Sequence, residues 1–132
     1  MIKNIFIIIG LPGSGKTHYL KNKSGFILDD KKDFFNLPEQ SIPYENLYIS
    51  HPMLCLKENQ TRLIDNINNN YKDIKINFIC FENNPEQCYK NSKKRERNIL
   101  PTLKLLTKHY HFPENSMVLK VFNNKKSFKF KE

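Results

Sequence analysis

The stretch IFIIIGLPGSGKTHYL, which spans Ile5–Leu20, contains the strongest local signal in the chain. A run of five apolar residues leads into the spacing Gly10-x-x-x-x-Gly15-Lys16-Thr17, which fits the consensus of a phosphate-binding loop. Glycines let successive backbone N–H groups curl around an anion, which bulkier residues would obstruct. The sequence therefore predicts a strand, a loop that holds nucleotide phosphates, and a helix that begins near Gly15.

A nucleotide in this loop sets the expected roles of the loop residues. Lys16 can reach the terminal phosphates and the hydroxyl of Thr17 can ligate Mg²⁺, so ATP and Mg²⁺ are the expected cofactors. The alternative is a glycine turn that contains a lysine by chance. The apolar run before the loop disfavours it, because such a run is typical of a buried parallel strand. The expected nucleotide contacts are Gly10, Leu11, Pro12, Gly13, Ser14, Gly15, Lys16, Thr17 and His18.

Composition limits the class of protein. A chain of 132 residues has room for one domain, and no apolar run approaches the ~18 residues of a membrane span. Three cysteines without metal-ligand spacing or a secretory signal indicate reduced thiols and a cytoplasmic protein. The net charge of +9 favours a polyanionic partner, either ATP or nucleic acid or both, although lysines also simply solubilise a surface.

Apolar runs alternate with helical patterns along the chain. This alternation predicts a three-layer α/β/α sandwich around a five-stranded, mostly parallel sheet. The predicted strands are residues 5–9, 25–28, 47–50, 74–81 and 117–122, and the predicted helices are residues 18–23, 56–71, one capped at Asn84-Pro85 and one opened by Pro101. Residues 31–46 are predicted to form a loop. Ligands bind beyond the carboxyl ends of parallel strands, where we expect Thr17, Asp29, Asp30, Ser50 and His51.

Glycine occurs only four times, and never after Gly25. The Asp-x-x-Gly switch of a GTPase is therefore impossible, and so are the glycine motifs of adenylate kinases and transporter ATPases. A small kinase or a bare nucleotide-binding domain remains. A carboxylate at Asp29-Asp30 could take the proton of an attacking hydroxyl, or could belong to a solvated turn. Arg95 and Arg97 could stabilise charge on a transferred phosphate, or could end a solvated basic helix.

Residues 1 to about 112 resemble the kinase domain of phage-type polynucleotide 5′-kinases. Three segments carry the resemblance, in the family's order: the glycine loop, Asp29-Asp30-x-Lys32, and Asn91-Ser92-Lys93-Lys94-Arg95. The resemblance implies that the first carboxylate of the second segment is the general base and that the third is a lid whose arginine contacts the donor phosphates. The implied catalytic residues are Lys16, Asp29 and Arg95, with Arg95 also on the nucleotide. The implied substrate contacts are Asp29, Asp30, Lys32 and Arg97.

The chain departs from that family at two points. Lys32 stands where the family prefers arginine, and Ser50-His51-Pro52 ends a strand where the family usually has aspartate. Imidazole is a poor Mg²⁺ ligand, so metal binding would rest on Thr17, the triphosphate and water, with Asp29 or Asp30 as a further candidate ligand.

The predicted organisation is a kinase domain at residues 1–122, with a lid at 91–97, and a basic tail at 123–132. The leading hypothesis is an ATP-dependent kinase for the 5′-hydroxyl end of a polynucleotide. The alternatives are a kinase for a nucleoside, nucleotide or other small acceptor, and a nucleotide-binding module with little turnover.

Overall fold

The central strand of the sheet is the apolar run that precedes the glycine loop. The computed structural model describes residues 1–29, 32–92 and 99–123. Strand β1 (Asn4–Ile9) pairs with a parallel strand on each side. A strand covered on both faces needs apolar side chains at successive positions, and Ile7, Ile8 and Ile9 are all fully buried.

Parallel strands and intervening helices make up the rest of the described fold. The further strands are β2 (Phe26–Leu28), β3 (Asn46–Ser50), β4 (Lys75–Phe81) and β5 (Met117–Leu119). The helices are α1 (Lys16–Leu20), α2 (Lys57–Asn70), α3 (Pro85–Ser92) and α4 (Ile99–His109), and a 3₁₀ helix spans Pro52–Cys55. The strand order is β2-β3-β1-β4-β5, and every neighbouring pair is parallel. The predicted fold class is confirmed.

The helices form two layers. The chain moves outward in one direction from β1 to β2 and in the other direction from β3 to β4 and β5. Right-handed crossovers therefore place α1 on one face of the sheet and the other three helices on the opposite face. Tyr19 of α1 meets the ring of Phe81 edge-on, with ring centroids 6.3 Å apart. Leu63 and Ile67 of α2 are fully buried, as the predicted apolar face requires.

Two element ends near the loop differ from the prediction. Helix α1 begins at Lys16, next to Gly15 as predicted, but it ends at Leu20 and does not continue to residue 23. Strand β5 ends at Leu119 and does not continue to Phe122. The strand stops there because the next N–H groups bond elsewhere: Val121 donates to the Glu82 carboxylate at 3.1 Å, and Phe122 donates to the carbonyl of Ser14 at 3.0 Å.

The predicted helix starts are confirmed in part. The side-chain oxygen of Asn84 accepts the backbone N–H of Gln87 at 3.1 Å, which is the predicted cap of α3. The reciprocal half of the capping box is absent, because the backbone N–H of Asn84 donates to the carbonyl of Glu82 at 3.0 Å and not to the side chain of Gln87. The side-chain nitrogen of Gln87 donates to the side-chain oxygen of Asn91 at 2.9 Å. Pro101 does not open α4, since Ile99 and Leu100 precede it in the helix. A proline is tolerated there because first-turn N–H groups lack intrahelical partners.

The described part of the connection between β2 and β3, residues 32–45, is irregular as predicted. Gln40 anchors it at the amino end of the sheet, where its amide nitrogen donates to the carbonyls of Ile2 at 3.0 Å and Lys72 at 2.8 Å. Asn66 of α2 donates to the carbonyl of Phe35 at 2.9 Å. The connection is therefore fastened to α2 and to the amino edge of the sheet.

Several predicted features fall outside the described residues. These are Asp30, Arg95, Arg97, most of the predicted lid and all but the first residue of the predicted tail. Asn91 and Ser92, which open the predicted lid, are the last two residues of α3. In the three described ranges, no helix has both the length and the apolar character needed to cross a membrane.

Candidate nucleotide-binding site

The loop after β1 has a backbone that only glycine accommodates well. Gly13 and Gly15 have φ angles of 85° and 109°, in the left-handed region. A Cβ atom at Gly13 would lie 2.2 Å from the Ser92 hydroxyl oxygen, and one at Gly15 would lie 2.8 Å from Cβ of Phe122. Neighbouring elements therefore press directly on the loop backbone. Such a backbone suits an anion that must approach the N–H groups closely.

Lys16 is the charged residue at the centre of the loop. Its side chain is only 3% exposed. The ammonium group donates to the carbonyl oxygens of Gly10 at 2.6 Å and Leu11 at 3.2 Å, so it lies within the curve of the loop. A phosphate oxygen is a stronger partner for ammonium than a neutral carbonyl. An incoming phosphate would therefore compete effectively for these donors.

A cavity of about 700 Å³ opens beside the loop. Its walls combine loop residues with residues from α1, β2, the end of α3 and the segment after β5. The lining residues are Gly13, Gly15, Lys16, Thr17, His18, Leu20, Lys21, Ile27, Asp29, Asn91 and Phe122. Asp29, just past β2, thus shares a cavity with Lys16 and Thr17, as expected for residues at the carboxyl edge of the sheet.

The remaining predicted contacts are placed differently. Gly10, Leu11, Pro12 and Ser14 belong to the loop but are not among the residues that line the cavity. The side chain of Leu11 is fully buried in the core, and the hydroxyl of Ser14 is buried with no hydrogen-bond partner among the described residues. Lys32 is exposed and does not line the cavity.

The donor atoms at the cavity fit a hard cation with few protein ligands. Mg²⁺ favours oxygen ligands and keeps several waters, and Thr17 supplies a hydroxyl at the cavity wall. Within residues 1–29, 32–92 and 99–123, no group of three or more His, Cys, Asp or Glu side chains could hold a metal. The residues present therefore fit Mg²⁺ bound chiefly through phosphate oxygens and the Thr17 hydroxyl.

His51 has a structural role in the described fold. Its ring nitrogen Nδ1 accepts the backbone N–H of Met53 at 3.1 Å, which caps the 3₁₀ helix after β3. The ring also packs against Phe34, with centroids 4.8 Å apart. Ser50, the last residue of β3, is buried. Neither residue is among those that line the cavity.

The cysteines are buried, free thiols. Burial raises the pKa of Cys55 and of Cys88 to about 12, an effect that the charge of Lys16 partly opposes. Burial also raises the pKa of Cys80. Thiolates are the nucleophilic and metal-binding form of cysteine, so these neutral thiols act as small core residues.

Sequence reasoning missed how Asn91 and Phe122 contribute to the site. The side-chain amide of Asn91 donates to the carbonyls of Gly13 at 2.9 Å and Phe122 at 2.6 Å. The ring of Phe122 packs against that of His18, with centroids 4.5 Å apart. The bond from Asn91 to Gly13 joins residues 78 positions apart, so no local spacing could have indicated it.

The chain is similar in sequence to a viral protein. No protein-family model matches the sequence. The chain is 38% identical over 106 residues to "Uncharacterized protein R277" of Acanthamoeba polyphaga mimivirus, a match that covers 74% of this chain and 77% of that protein.

Solved structures with a similar fold include a kinase and a protein bound to ADP-AlF3. A gluconokinase from Sinorhizobium meliloti 1021 superimposes with a TM-score of 0.62 at 10% identity, covering 96% of this chain and 87% of that one. Kti12 from Chaetomium thermophilum, in complex with ADP-AlF3, superimposes with a TM-score of 0.57 at 12% identity, covering 96% and 94%. The chain therefore belongs to the same family as the mimivirus protein, and it has the fold of P-loop kinases.

Proposed function

We propose that this protein is an ATP-dependent kinase that transfers the γ-phosphate to the 5′-hydroxyl end of a polynucleotide. The proposal rests chiefly on one observation, that Asp29 lines the same cavity as Lys16 and Thr17. A carboxylate, an ammonium and a hydroxyl beside a glycine loop supply the groups that phosphoryl transfer needs, because this reaction depends mostly on positioning and on stabilising charge.

Each residue then has a defined role. The loop binds the phosphates of ATP, with Lys16 on the terminal phosphates and Thr17 on the magnesium ion. Mg²⁺, when bound, neutralises charge that develops on the transferred phosphate. The oxygen of the acceptor hydroxyl attacks the γ-phosphorus atom in line with the leaving β-phosphate oxygen, and Asp29 accepts the proton of that hydroxyl. Arg95 contacts the donor phosphates, and Asp30, Lys32 and Arg97 contact the acceptor.

Two features support a polymeric acceptor. None of the described residues between 32 and 46 lines the cavity, because this connection is fastened to α2 and to Ile2 and Lys72 at the far edge of the sheet. This part of the chain therefore leaves the Asp29 side of the cavity uncovered, which gives a strand end room to enter. The net charge of +9 also favours attraction of a polyanion.

The second candidate keeps the chemistry and changes the acceptor to a small molecule. The cavity volume of about 700 Å³ supports it, because this falls within the range of pockets that enclose small ligands. One of the structures with a similar fold is a gluconokinase. The positive charge would then serve ATP binding alone. The third candidate is a nucleotide-binding module with little turnover.

A transfer assay separates these candidates. The protein is incubated with γ-labelled ATP, Mg²⁺ and either a 5′-hydroxyl oligonucleotide, the same oligonucleotide carrying a 5′-phosphate, a nucleoside or gluconate. Our proposal predicts label on the 5′-hydroxyl oligonucleotide alone, with a KM for that acceptor that rises with salt. Label on a small acceptor alone would favour the second candidate, and ATP binding without transfer would favour the third.

Lys16→Ala provides the control for the assay. Removing the ammonium should abolish transfer and weaken ATP binding by at least about tenfold, or ~1.4 kcal/mol. The matched variant Lys57→Ala changes an exposed lysine at the start of α2, outside the cavity, and should leave both unchanged. Normal ATP binding by Lys16→Ala would contradict the assignment of the loop.

A further inference from the structure

We infer that Asn91 is a positioning residue that holds the glycine loop in its anion-binding conformation before any nucleotide is bound. Its amide nitrogen donates to the carbonyls of Gly13 and Phe122, at 2.9 Å and 2.6 Å. Its side-chain oxygen accepts the amide of Gln87 at 2.9 Å. One side chain at the end of α3 thus joins the loop, the helix and the segment after β5.

The segment after β5 holds the next carbonyl of the loop. The backbone N–H of Phe122 donates to the carbonyl of Ser14 at 3.0 Å. Two consecutive loop carbonyls, those of Gly13 and Ser14, therefore have partners outside the loop. Asn91 donates to the carbonyl of Gly13 and also to the carbonyl of Phe122, whose own N–H donates to Ser14. The two contacts form one connected network.

Fixing the carbonyl of Ser14 also fixes the N–H group of Gly15 that follows it, whereas the N–H of Ser14 already donates to the carbonyl of Leu11 at 3.0 Å. The chain has no cis peptide bond among its described residues, and in a trans peptide the carbonyl and the next N–H point in opposite directions. When the carbonyl of Ser14 is held by Phe122, the N–H of Gly15 must point away from Phe122. Gly15 lines the cavity, so the network controls which backbone donors an incoming anion meets.

Close packing of α3 prevents the loop from moving toward the helix, but not away from it. A Cβ atom at Gly13 would be 2.2 Å from the Ser92 hydroxyl oxygen and 2.3 Å from the carbonyl oxygen of Cys88. Close packing on this side does not oppose movement of the loop away from the helix. The hydrogen bond from Asn91 to the carbonyl of Gly13 does oppose that movement.

Gln87 fixes the orientation of Asn91. An asparagine amide can rotate so that its oxygen and nitrogen exchange places, and only one orientation presents the nitrogen to Gly13. The donor from Gln87 selects that orientation, because it must meet the oxygen. Gln87 does not line the cavity, and its side chain reaches the loop through its bond to Asn91.

The direct test measures the loop without any ligand. Amide hydrogen exchange is followed by mass spectrometry in the wild type, Asn91→Ala, Gln87→Ala and the control Asn83→Ala. Asn83 is exposed, and its amide donates to the carbonyl of Thr107 at 3.2 Å, so the control removes a comparable bond away from the loop. We expect exchange in the peptide covering residues 10–17 to accelerate at least about tenfold in Asn91→Ala and less in Gln87→Ala. The control should match the wild type, and peptides from α2 should not change in any variant.

The second measurement is the affinity for ADP. The inference rests on the proposed function for the identity of the anion, and it predicts that Asn91→Ala weakens binding about tenfold. A double-mutant cycle should show that Gln87→Ala adds no further loss once Asn91 is alanine. Unchanged exchange at residues 10–17 in Asn91→Ala would overturn the inference whether or not the protein is a kinase. Equal losses from Gln87→Ala in both backgrounds would also overturn it. Failure of the wild type to bind ADP, with loop exchange that does depend on Asn91, would instead overturn the proposed function alone.

Discussion

The hydroxyl oxygen of Tyr110 lies 3.3 Å from the carbonyl oxygen of Ile9, the last residue of β1, and within hydrogen-bond distance of the carbonyl of Phe81 at the end of β4, so the two carbonyls share its one proton. Tyr110 follows α4 directly, so one phenol joins that helix to the end of β1, from which the glycine loop begins, and to the end of the neighbouring strand β4. Burial raises the pKa of this phenol, which keeps it protonated and able to donate.

Removal of that hydroxyl should destabilise the fold. Tyr110→Phe leaves two strand-end carbonyls without this donor, and we expect the free energy of unfolding to fall by about 1 kcal/mol, or roughly 4 °C in Tm. The control is Tyr89→Phe, because Tyr89 is 39% exposed on α3 and outside the nucleotide cavity. Thermal unfolding measured by circular dichroism checks the pair. Equal Tm values for the two variants would contradict the assigned role.

Gly13→Ala should disrupt the loop even when Ser92, which lies against it, is also changed to alanine. The substitution adds left-handed strain and places Cβ against the Ser92 hydroxyl and the Cys88 carbonyl, at 2.2 Å and 2.3 Å. We expect a loss of about 2 kcal/mol in unfolding free energy and of nucleotide binding. The double variant Gly13→Ala/Ser92→Ala should not recover either property, because the backbone carbonyl remains. Full rescue by the second change would contradict this expectation, because it would show that the Ser92 hydroxyl alone opposes a side chain at position 13.

The glycine loop illustrates what the sequence could predict. Gly10, Gly15, Lys16 and Thr17 form a local pattern set by backbone sterics, and the strand before them is identified by its continuous apolar residues. The parallel sheet followed from the alternation of such runs with helical patterns. These features depend on neighbours within a few residues, which is why sequence alone could reveal them.

Other features depend on contacts between distant segments. Phe122 looked like part of β5 because apolar runs predict strands, but its N–H is taken by Ser14, which no local pattern encodes. His51 stood out as a departure from a family pattern, and its packing against the ring of Phe34, in the connection before β3, follows only from the tertiary fold. Gln87 had the spacing of a capping box and bonds forward to Asn91 because a longer-range network uses that amide.

Alkaline pH should destabilise the protein through Cys55. The unfolded thiol loses its proton near pH 9, whereas burial raises the pKa of the folded one to about 12. Between these values the folded state binds more protons, so stability is complete below pH 9 and falls as pH rises, by up to about 1.4 kcal/mol per pH unit. Urea unfolding from pH 8 to pH 10.5 should therefore show a steeper loss in the wild type than in Cys55→Ala. Parallel curves would contradict this.

Thr17 should determine how much magnesium the reaction requires. If its hydroxyl ligates the ion, Thr17→Ala should raise the Mg²⁺ concentration for half-maximal activity about tenfold, and Thr17→Ser should leave it near the wild-type value. His51→Asn, which alters the cap after β3 outside the cavity, should not change the Mg²⁺ requirement. A titration of initial rate against Mg²⁺ compares the variants. If His51→Asn raised the Mg²⁺ requirement and Thr17→Ala did not, the assignment of Thr17 as the Mg²⁺ ligand would be wrong.

Single-turnover transfer by Asp29→Asn tests the central claim most directly. Asparagine keeps the size of the side chain but cannot take the acceptor's proton, so ATP affinity should hold while the rate of transfer falls by roughly 10²–10⁴. Asp65→Asn is the matched control, because Asp65 is exposed on α2 and does not line the cavity. The same measurement on Asp30→Asn shows whether Asp29 or the neighbouring carboxylate accepts the proton. We expect a large loss of transfer in Asp29→Asn with normal ATP binding, and wild-type transfer in the control. Wild-type transfer by both Asp29→Asn and Asp30→Asn would contradict the kinase mechanism.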